Sequence, residues 1–382
     1  MPQSAATRKV PLCIPDMGDE ELAAVAEVLR SGWLAHGPKN HEFEAAFATY
    51  LGVRHAVSLN SCASALFLAV HANGIKGEVI LPSFTFVASA NAVAAAGATC
   101  VLADVEYDTC NLNPAAVEAA ITPRTEALMP VHFGGHAAEM ETLARIAAKH
   151  KLLLIEDSAE ALGAAQQGKL TGGWGIGCFS FYPTKNISTG EGGMFTTPDG
   201  ALAEKVRALA GHGVASSTWA REKKEQPWLR AATYAGFNFR MSNLAAALGV
   251  VQMKKLDAMN TARRKHAAQY SQLLQRTFFD LPVERAGFQH VYQMYTVKTK
   301  GFDRTPFLAR LRELGIGASV HFDPPVHTQP YYAEQGYGKF ELPVTTKLSA
   351  SIVTLPIYPQ MSEADVAYVA SAANQTAARG AR

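Results

Sequence analysis

The sequence predicts an α/β fold with a mostly parallel central sheet, followed by a smaller α+β domain. Over the first part of the chain, short segments that are apolar on both faces alternate with amphipathic segments, as in a buried parallel sheet. Further along, this alternation stops and a long helical pattern takes its place. We therefore expect a large domain over residues 1–255 and a small domain over residues 256–382.

The elements of the large domain follow in order. Two helices are predicted first, at GDEELAAVAEVLRSG, with Asp19 as a possible N-cap and Gly32 as a stop, and at HEFEAAFATYLG. The strand candidates are HAVSL, EVILP, TCVLADV, EALMPVH, KLLLIED and CFSFY. Helical patterns separate most of them, namely SALFLAVHA, ASANAVAAAG, NPAAVEAAI and METLARIAAKH. Because ligands bind beyond the carboxyl ends of such strands, we expect the functional site there.

The second part of the chain is organised differently. Residues 238–276 indicate one long helix or two, with a cap at Ser242 or Asn243. Beyond them lie a strand candidate, HVYQMYTVKTK, a helix, FLARLRELG, a proline-rich loop, VHFDPPVHTQPYY, and a closing helix after Ser362. The polar and aromatic residues 215–237 are predicted to form a long loop near the functional site.

Composition and charge argue against several classes of protein. A formal net charge of +2 gives no reason to expect a nucleic acid partner or a polybasic membrane contact. A membrane span needs about 18 consecutive apolar residues, which the sequence lacks, and its first residues lack the apolar core of a signal peptide. Five scattered cysteines without a CxxC pair indicate reduced thiols, so a cytoplasmic location is expected.

Three features at strand ends point to one chemistry. In LNSCASALFLAV, a strand passes through small residues into a helix start, where unpaired backbone N–H groups suit a phosphate. Asp157 ends the strand candidate KLLLIED, although the ordinary role of such an aspartate is a helix N-cap. Lys185, in CFSFYPTKNISTGEGGMFTT, could form a Schiff base with a carbonyl if it is enclosed, although most loop lysines are solvated.

Together these features meet the needs of pyridoxal 5′-phosphate (PLP). This cofactor requires an amine for its aldehyde, a cradle for its phosphate and a flat apolar group against its ring. It also requires a carboxylate that keeps the ring nitrogen protonated, because the protonated ring acts as the electron sink. Phe86, in PSFTFVASA, could be the stacking group, and a core position is an equally good interpretation.

The same motifs, read in order, resemble those of the DegT/StrS-type sugar aminotransferases over nearly the whole chain. They are SGWLAHGP, YLGVRHAVSLNSCASAL, ILPSFTFVASANAV, PVHFGG, IEDSAEALGA, FSFYPTKNISTGEGGM, GFNFRMSNLAAALG, VHFDPPVHTQPYY and TLPIYPQMSEADV. The resemblance implies PLP fold type I, the aspartate aminotransferase fold, in a homodimer with shared active sites. It also implies glutamate as amino donor, 2-oxoglutarate as its product and a nucleotide-linked sugar as second substrate.

By position in these motifs, the resemblance gives roles to single residues. Lys185 matches the lysine that binds PLP covalently and moves a proton between the donor and acceptor carbons. Asp157 matches the partner of the ring nitrogen, and Phe86 matches the stacking ring. The phosphate-binding positions are Ser61, Cys62, Ala63, Ser180 and, from the neighbouring subunit, Asn238.

Two positions depart from the common pattern of the family. Ala63 stands where many relatives have threonine, so backbone N–H groups must replace one hydroxyl at the phosphate. Glu160 stands where relatives often have histidine or glutamine beside the ring hydroxyl of PLP. Its carboxyl would share a proton with that oxygen or turn away, and the like charge of Asp157 could keep it protonated.

Further residues are candidates for substrate binding. The resemblance places Glu191, in TGEGG, near Lys185. His321 and His327 have prolines between them that disfavour a shared metal ion, so no metal is expected; substrate contact and loop structure are equally good interpretations of both. The remaining candidates are Arg240, Trp33 and the loop cations Arg221, Lys223, Lys224 and Arg230, which could meet a nucleotide diphosphate or be solvated.

The motif STGEGGM resembles relatives that aminate the 4-keto position of nucleotide-linked 6-deoxyhexoses, whereas 3-keto enzymes tend to have Ala-Leu-Gly-Asp-Gly-Gly. We therefore expect ping-pong transfer to such a 4-keto sugar, in surface polysaccharide or natural-product assembly. The alternatives are a 3-keto sugar, a cyclitol ketone and a non-catalytic PLP-binding regulator. The dehydratases of the family have histidine in place of Lys185, which argues against that activity.

Overall fold

The computed structural model describes residues 8–214, 228 and 231–380. Within this part of the chain the helices are α1 Asp19–Ser31, α2 Pro38–Leu51, α3 Cys62–Ala72, α4 Ala88–Ala95, α5 Pro114–Ala120, α6 Met140–His150, α7 Gly200–Ala210, α8 Asn243–Leu273, α9 Arg304–Glu313, α10 Pro330–Glu334, α11 Pro343–Ser351 and α12 Glu363–Gly380. The strands are β1 His55–Leu59, β2 Glu78–Pro82, β3 Thr99–Ala103, β4 Thr125–Leu128, β5 Leu153–Asp157, β6 Ala165–Gln166, β7 Lys169–Leu170, β8 Ile176–Ser180, β9 Gly193–Thr197, β10 Phe279–Asp280, β11 Phe288–Gln289, β12 Tyr295–Thr299 and β13 Ile352–Leu355.

The described residues form a central sheet with the strand order β1-β9-β8-β5-β4-β2-β3. Neighbouring strands from β8 to β3 pair in parallel, and β9 alone runs antiparallel to both of its neighbours, β1 and β8. The predicted α/β class with a mostly parallel sheet is therefore confirmed. Since β1, β2, β4, β5 and β8 point the same way, the segments that follow them meet at one edge of the sheet.

The sheet is buried because helices cover both of its faces. Apolar side chains of α3, α4 and α7 form one core cluster with the strands, and those of α5 and α6 form another. A third cluster joins the sheet to α2 and to the first part of α8. Strands with two apolar faces require this arrangement, which explains why the apolar segments of the sequence predicted them well.

A smaller antiparallel sheet, with the order β10-β12-β13, follows in the second part of the chain. It shares a core cluster with the last part of α8 and with α9 and α12. The helix α8 is one continuous helix of 31 residues, and the side chain of Ser242 caps it by accepting the N–H of Ala245. The proposed division at residues 255 and 256 falls inside this helix, and the division itself stays a prediction.

The start of α1 differs from the expectation. Gly18, not Asp19, occupies the cap position, and the carboxylate of Glu21 accepts the N–H of Gly18 at 2.8 Å. Gly32 ends the helix as predicted, in the left-handed conformation with φ of 70°, which glycine adopts without steric cost.

The strand β9 was missed by the sequence analysis. Its residues, GMFTT, follow a series of small residues that indicates a turn, and five residues offer few repeats from which to recognise a strand. The predicted loop 215–237 is described only in part: Arg221, Lys223, Lys224 and Arg230 lie outside the described residues. None of the helices in the described part is long and apolar enough to cross a membrane.

Candidate active site

A cavity of about 470 Å³ lies where the parallel strands end. The segments that follow β1, β2, β4, β5 and β8 all contribute to its lining, as the sheet topology requires. The opposite walls are formed by Leu12 and Cys13 and, from the second part of the chain, by residues 293–294, 321–322, 354–355 and 357. Its volume is in the range of sites that enclose a small molecule or cofactor.

The cavity brings together most of the residues singled out from the sequence. Those that line it are Ser61, Cys62, Ala63, Phe86, Asp157, Glu160, Ser180, Lys185, Glu191 and His321. Four other candidates, Asn238, Arg240, His327 and Trp33, do not line it.

Asp157 is the last residue of β5, and its side chain is 4% exposed. The Ser89 hydroxyl donates to Oδ2 at 2.7 Å, and the Ala159 N–H donates to Oδ1 at 3.2 Å. The residues that follow Asp157 form turns and not a helix, so the alternative role as a helix N-cap does not apply. The carboxylate is thus held at the strand end and faces the cavity.

The neighbouring Glu156 has a different function although both residues are acidic. Side chains alternate along a strand, and Glu156 faces away from the cavity. Its carboxylate accepts the backbone N–H groups of Gly172, Trp174 and Gly175 and lies 3.1 Å from the ring of His132. Glu156 therefore has a structural role, and of these two neighbouring acids Asp157 is the one whose carboxylate lines the cavity.

Burial dominates the electrostatics of Asp157. Loss of water raises the pKa of its carboxyl, and the nearby charge of Glu160 raises this pKa further. The hydrogen bonds from Ser89 and Ala159 and the charge of Lys185 act in the opposite direction, and they do not fully offset burial. A cation in direct contact would complete the compensation.

Lys185 follows β8, the strand that pairs with β5, so both side chains enter the same cavity. Its Nζ lies 3.2 Å from Oε1 of Glu160. The other carboxylate oxygen of Glu160 accepts the N–H of Gly134 at 2.9 Å. Glu160 therefore does not turn away from the site: in this structure it is the ionic partner of Lys185.

Hydrogen bonds on both sides of Lys185 hold its backbone. The amide of Gln293 donates to the carbonyl of Thr184 at 2.7 Å. On the other side, the amide of Asn186 donates to the side chain of Asn260, on α8, at 2.8 Å. Because this segment is fixed, the side chain of Lys185 lies in the cavity and does not extend into solvent.

At one end of the cavity, the start of α3 forms a cradle. Ser61 caps the helix by accepting the N–H of Ser64, so the N–H groups of Cys62 and Ala63 have no partner within the helix. A side chain on Gly193 would lie 2.3 Å from the backbone of Ser61, so the close approach of β9 requires glycine there. Free N–H groups at the positive end of a helix suit a phosphate.

Two further lining residues come from opposite sides. Phe86 is 60% exposed in the single chain, so the interpretation as a core aromatic does not apply. Its ring centroid lies 6.1 Å from that of Phe322. Nδ1 of His321 lies 2.8 Å from the hydroxyl of Thr354, and burial lowers the pKa of the His321 ring.

The candidates outside the cavity have other contacts. The ring of His327 is buried, with Nδ1 2.7 Å from the hydroxyl of Ser83, so the two histidines do not share a site. Asn238 and Arg240 are exposed, and Nε of Arg240 donates to Oδ1 of Asn238 at 3.1 Å. The indole of Trp33 donates to a backbone carbonyl three residues further along.

The sequence analysis missed several residues of the cavity. Thr85 lies on the turn that carries Phe86, Ser89 lies in the first turn of α4, and Gln293 comes from the second part of the chain. Ser89 carried a weak signal, since it follows Phe86 by three residues. Leu12 and Gln293 carried none, because only the tertiary fold brings them to the strand ends.

Comparisons with known proteins agree with this arrangement. The family model described as "DegT/DnrJ/EryC1/StrS aminotransferase family" matches residues 15–374. The chain is 40% identical over 367 residues to the spore coat polysaccharide biosynthesis protein SpsC of Bacillus subtilis (strain 168), with 94% of each chain covered.

Two solved structures are similar over nearly the whole chain. S. venezuelae DesV, in complex with a ketimine intermediate, is 36% identical with a TM-score of 0.89, covering 97% of this chain and 99% of DesV. DesI, in the presence of its TDP-sugar product, is 31% identical with a TM-score of 0.88, covering 99% of this chain and 95% of DesI.

Fold and cavity are those of a PLP-dependent aminotransferase of fold type I. More particularly, the chain belongs to the DegT/DnrJ/EryC1/StrS aminotransferase family and is a sugar aminotransferase. The expected family, fold, cofactor and class of enzyme are confirmed. The identity of the sugar and the position of its keto group are finer questions.

Asp157→Asn should stabilise the cofactor-free protein near neutral pH. Because burial raises the pKa of Asp157, the folded chain binds more protons than the unfolded chain between the two pKa values. The free energy of unfolding therefore falls as the pH rises through this window, and an amide avoids that loss. Thermal unfolding should show a higher Tm for the variant at pH 7, with the gain shrinking towards about pH 4, close to the unfolded pKa of aspartate. If the variant and the wild type had equal melting temperatures at both pH values, this prediction would be contradicted.

Proposed function

We propose that this enzyme transfers the amino group of glutamate to the keto group of a nucleotide-linked 4-keto-6-deoxyhexose. The observation that carries the transfer is the meeting of Lys185 and Asp157 in one cavity, at the ends of two paired strands. The similarity to DesI, whose structure was determined in the presence of its TDP-sugar product, supports the nucleotide-linked sugar. The 4-keto position and the deoxy carbon rest on the likeness of STGEGGM to that group of relatives.

The residues of the cavity fit PLP. Lys185 would hold its aldehyde, Asp157 its ring nitrogen and Phe86 one face of its ring. The hydroxyls of Ser61 and Ser180 and the first N–H groups of α3 would hold its phosphate. When bound, the cofactor supplies an aldehyde that binds amines covalently and a protonated ring that accepts electrons from a neighbouring carbon.

The chain itself supplies the proton transfers. Nζ of Lys185 has access to the cavity. It can take the proton from the carbon that gives up the amino group in the first half-reaction and donate a proton to the carbon that receives the amino group in the second. Glu160, 3.2 Å away, stabilises the ammonium form of Lys185, and Gly134 fixes the orientation of that carboxylate. Asp157, buried and held by two hydrogen bonds, keeps a negative charge at the far side of the cavity.

One cavity serves both substrates in turn, which is a ping-pong mechanism. Glutamate enters first and leaves as 2-oxoglutarate, and the ketosugar then enters and leaves as the aminosugar. His321 and Glu191 line the cavity and are our proposed substrate contacts. His327 and Trp33 do not line the cavity of the described chain, and a substrate contact for either stays a prediction.

We further propose a homodimer in which each active site is shared. Among the described lining residues, Lys185 is the one lysine or arginine, against the carboxylates of Asp157, Glu160 and Glu191. Both proposed substrates are anions and need further cations. Asn238 and Arg240 are exposed and lie outside their own chain's cavity, so they are free to reach the site of a second subunit.

The similarity to SpsC supports a place in surface polysaccharide synthesis, and the cytoplasmic location stays a prediction. A 3-keto nucleotide sugar or a cyclitol ketone is the second candidate for the acceptor, since the described cavity residues do not distinguish the ketones.

Lys185→Ala should lose transamination by at least about 10³-fold, because it removes both the covalent attachment and the proton carrier. Borohydride treatment of the PLP-loaded wild type should attach the cofactor permanently to the peptide containing Lys185, as mass spectrometry detects. Lys169→Ala, which changes an exposed lysine outside the cavity, is the matched control. Attachment to a different lysine in the wild type would refute the assignment.

The keto position can be tested by a half-reaction. Protein loaded with pyridoxamine phosphate is mixed with nucleotide-linked 4-keto and 3-keto 6-deoxyhexoses and with a cyclitol ketone, and the visible absorption of the aldehyde cofactor is followed. We expect the 4-keto sugar to react with a kcat/KM at least about tenfold above the others, about 1.4 kcal/mol of discrimination. A faster 3-keto sugar would overturn the keto position, and no reaction with any ketone would overturn the proposed function.

Shared sites predict complementation between two inactive variants. When Lys185→Ala and Asn238→Ala chains are co-expressed with different tags, each hybrid dimer keeps one intact site. Random pairing should then restore about a quarter of wild-type activity, since about half of the dimers are hybrids with one of two sites intact. Activity no higher than the sum of the separate variants would indicate that Asn238 serves its own chain.

A further inference from the structure

Two buried hydroxyls form a chain that ends on Asp157. Thr85 and Ser89 both line the cavity, and they are 3% and 1% exposed. The hydroxyl of Thr85 lies 3.0 Å from that of Ser89, and the hydroxyl of Ser89 lies 2.7 Å from Oδ2 of Asp157. The proposed function assigns no role to either hydroxyl.

The direction of this chain follows from its acceptors. An ionised carboxylate only accepts hydrogen bonds, so Ser89 donates to Asp157 and its oxygen is left to accept the proton of Thr85. The carbonyl of Phe86 competes for the Ser89 proton at 3.3 Å, a longer distance than the 2.7 Å to Asp157. The shorter contact is also the stronger one, because hydrogen bonds to charged groups are the strong class.

The position of Ser89 links two parts of the site. The turn from β2 into α4 carries Phe86, which faces the cavity, and the first turn of α4 carries Ser89, whose hydroxyl donates to the carboxylate. One short segment thus fixes the distance between the stacking ring and the anion that would hold the ring nitrogen. A hydroxyl that only filled space would not have to lie against a buried carboxylate. A buried polar group without a hydrogen-bond partner is costly, and the bond between Ser89 and Asp157 gives both groups a partner.

We propose that Ser89, oriented by Thr85, is a positioning residue that aims the Asp157 carboxylate at the cofactor ring nitrogen and keeps it ionised. The inference rests on the proposed function for the identity of the cation, and its first test requires no cofactor.

Other groups also face Asp157. The thiol of Cys62, on α3, lies 4.0 Å from Oδ1, and Cys178 is the residue of β8 paired with Asp157 in the sheet. Burial keeps both thiols neutral by raising the pKa of each well above its usual value. Glu160 and Lys185 supply the nearby charges, of opposite sign. The Ser89 hydroxyl differs from these groups because it donates a hydrogen bond to the Asp157 carboxylate at 2.7 Å.

The test compares the titration of Asp157 in the cofactor-free full chain of the wild type with that in Ser89→Ala, Thr85→Val and Ser89→Thr. Infrared difference spectra follow its carboxyl band, which Asp157→Asn identifies by its loss. Ser89→Ala should move the midpoint upward by about one pH unit, since it removes a stabilising bond from the charged form. Thr85→Val should move it upward by less, and Ser89→Thr should restore it.

Ser58→Ala is the matched control. The hydroxyl of Ser58 donates to the buried carboxylate of Glu44 at 2.8 Å, outside the cavity, so this variant loses the same kind of bond without touching Asp157. Its Asp157 midpoint and its PLP affinity should equal those of the wild type. Ser89→Ala should bind PLP about 10- to 100-fold more weakly in an absorption titration.

An unmoved midpoint in Ser89→Ala, or a shift of equal size in Ser58→Ala, would overturn the inference. If Ser89→Ala does not fold, Thr85→Val decides by the direction of its shift. A shifted midpoint in a protein whose wild type does not react with glutamate would sink the proposed function and leave the hydroxyl chain standing. Normal transamination with an unmoved midpoint would do the reverse.

Discussion

The arrangement of the site depends on one buried carboxylate at the end of a strand. Transfer of an ionised group from water into a protein interior is costly unless hydrogen bonds and an opposite charge compensate for it. Asp157 has two hydrogen bonds and lies in the field of Lys185, yet burial still raises its pKa. The protein thus holds a negative charge that the chain itself does not fully neutralise. In the proposed function, the cationic ring nitrogen of the cofactor is the partner that this carboxylate lacks.

The second requirement is a lysine held in the same cavity as this carboxylate. The helix α8 does much to hold it there. The first part of α8 packs with the central sheet through residues such as Leu256, and its last part packs with the small sheet through residues such as Tyr270. Between them, Asn260 holds the segment of Lys185 by its bond to Asn186. The helix that joins the two cores therefore also positions the reactive amine. A shift of one core relative to the other would change the position of Lys185.

Much of the fold was predictable because strands buried on both faces leave continuous apolar segments in the sequence. Asp157 and Lys185 were predictable for the related reason that polar residues at the end of such a strand, or in the segment that follows it, lie at the sheet edge. The strand β9 was hidden by the small residues before it. His321 and His327 show the limit of local sequence: they lie six residues apart in one proline-rich loop, and only tertiary packing places one at the cavity and the other against Ser83.

The two departures from the family pattern have different physical consequences. At Ala63 the loss of a hydroxyl removes one hydrogen bond, worth about 0.5–1.5 kcal/mol, from a cradle whose main strength is the helix end itself. At Glu160 the change is one of charge, because a carboxylate replaces a group that can be neutral. The structure shows where that charge goes: one oxygen faces the ammonium of Lys185 and the other accepts the N–H of Gly134. Glu160 therefore contacts the lysine directly, at a position that the family resemblance places beside the ring hydroxyl of the cofactor.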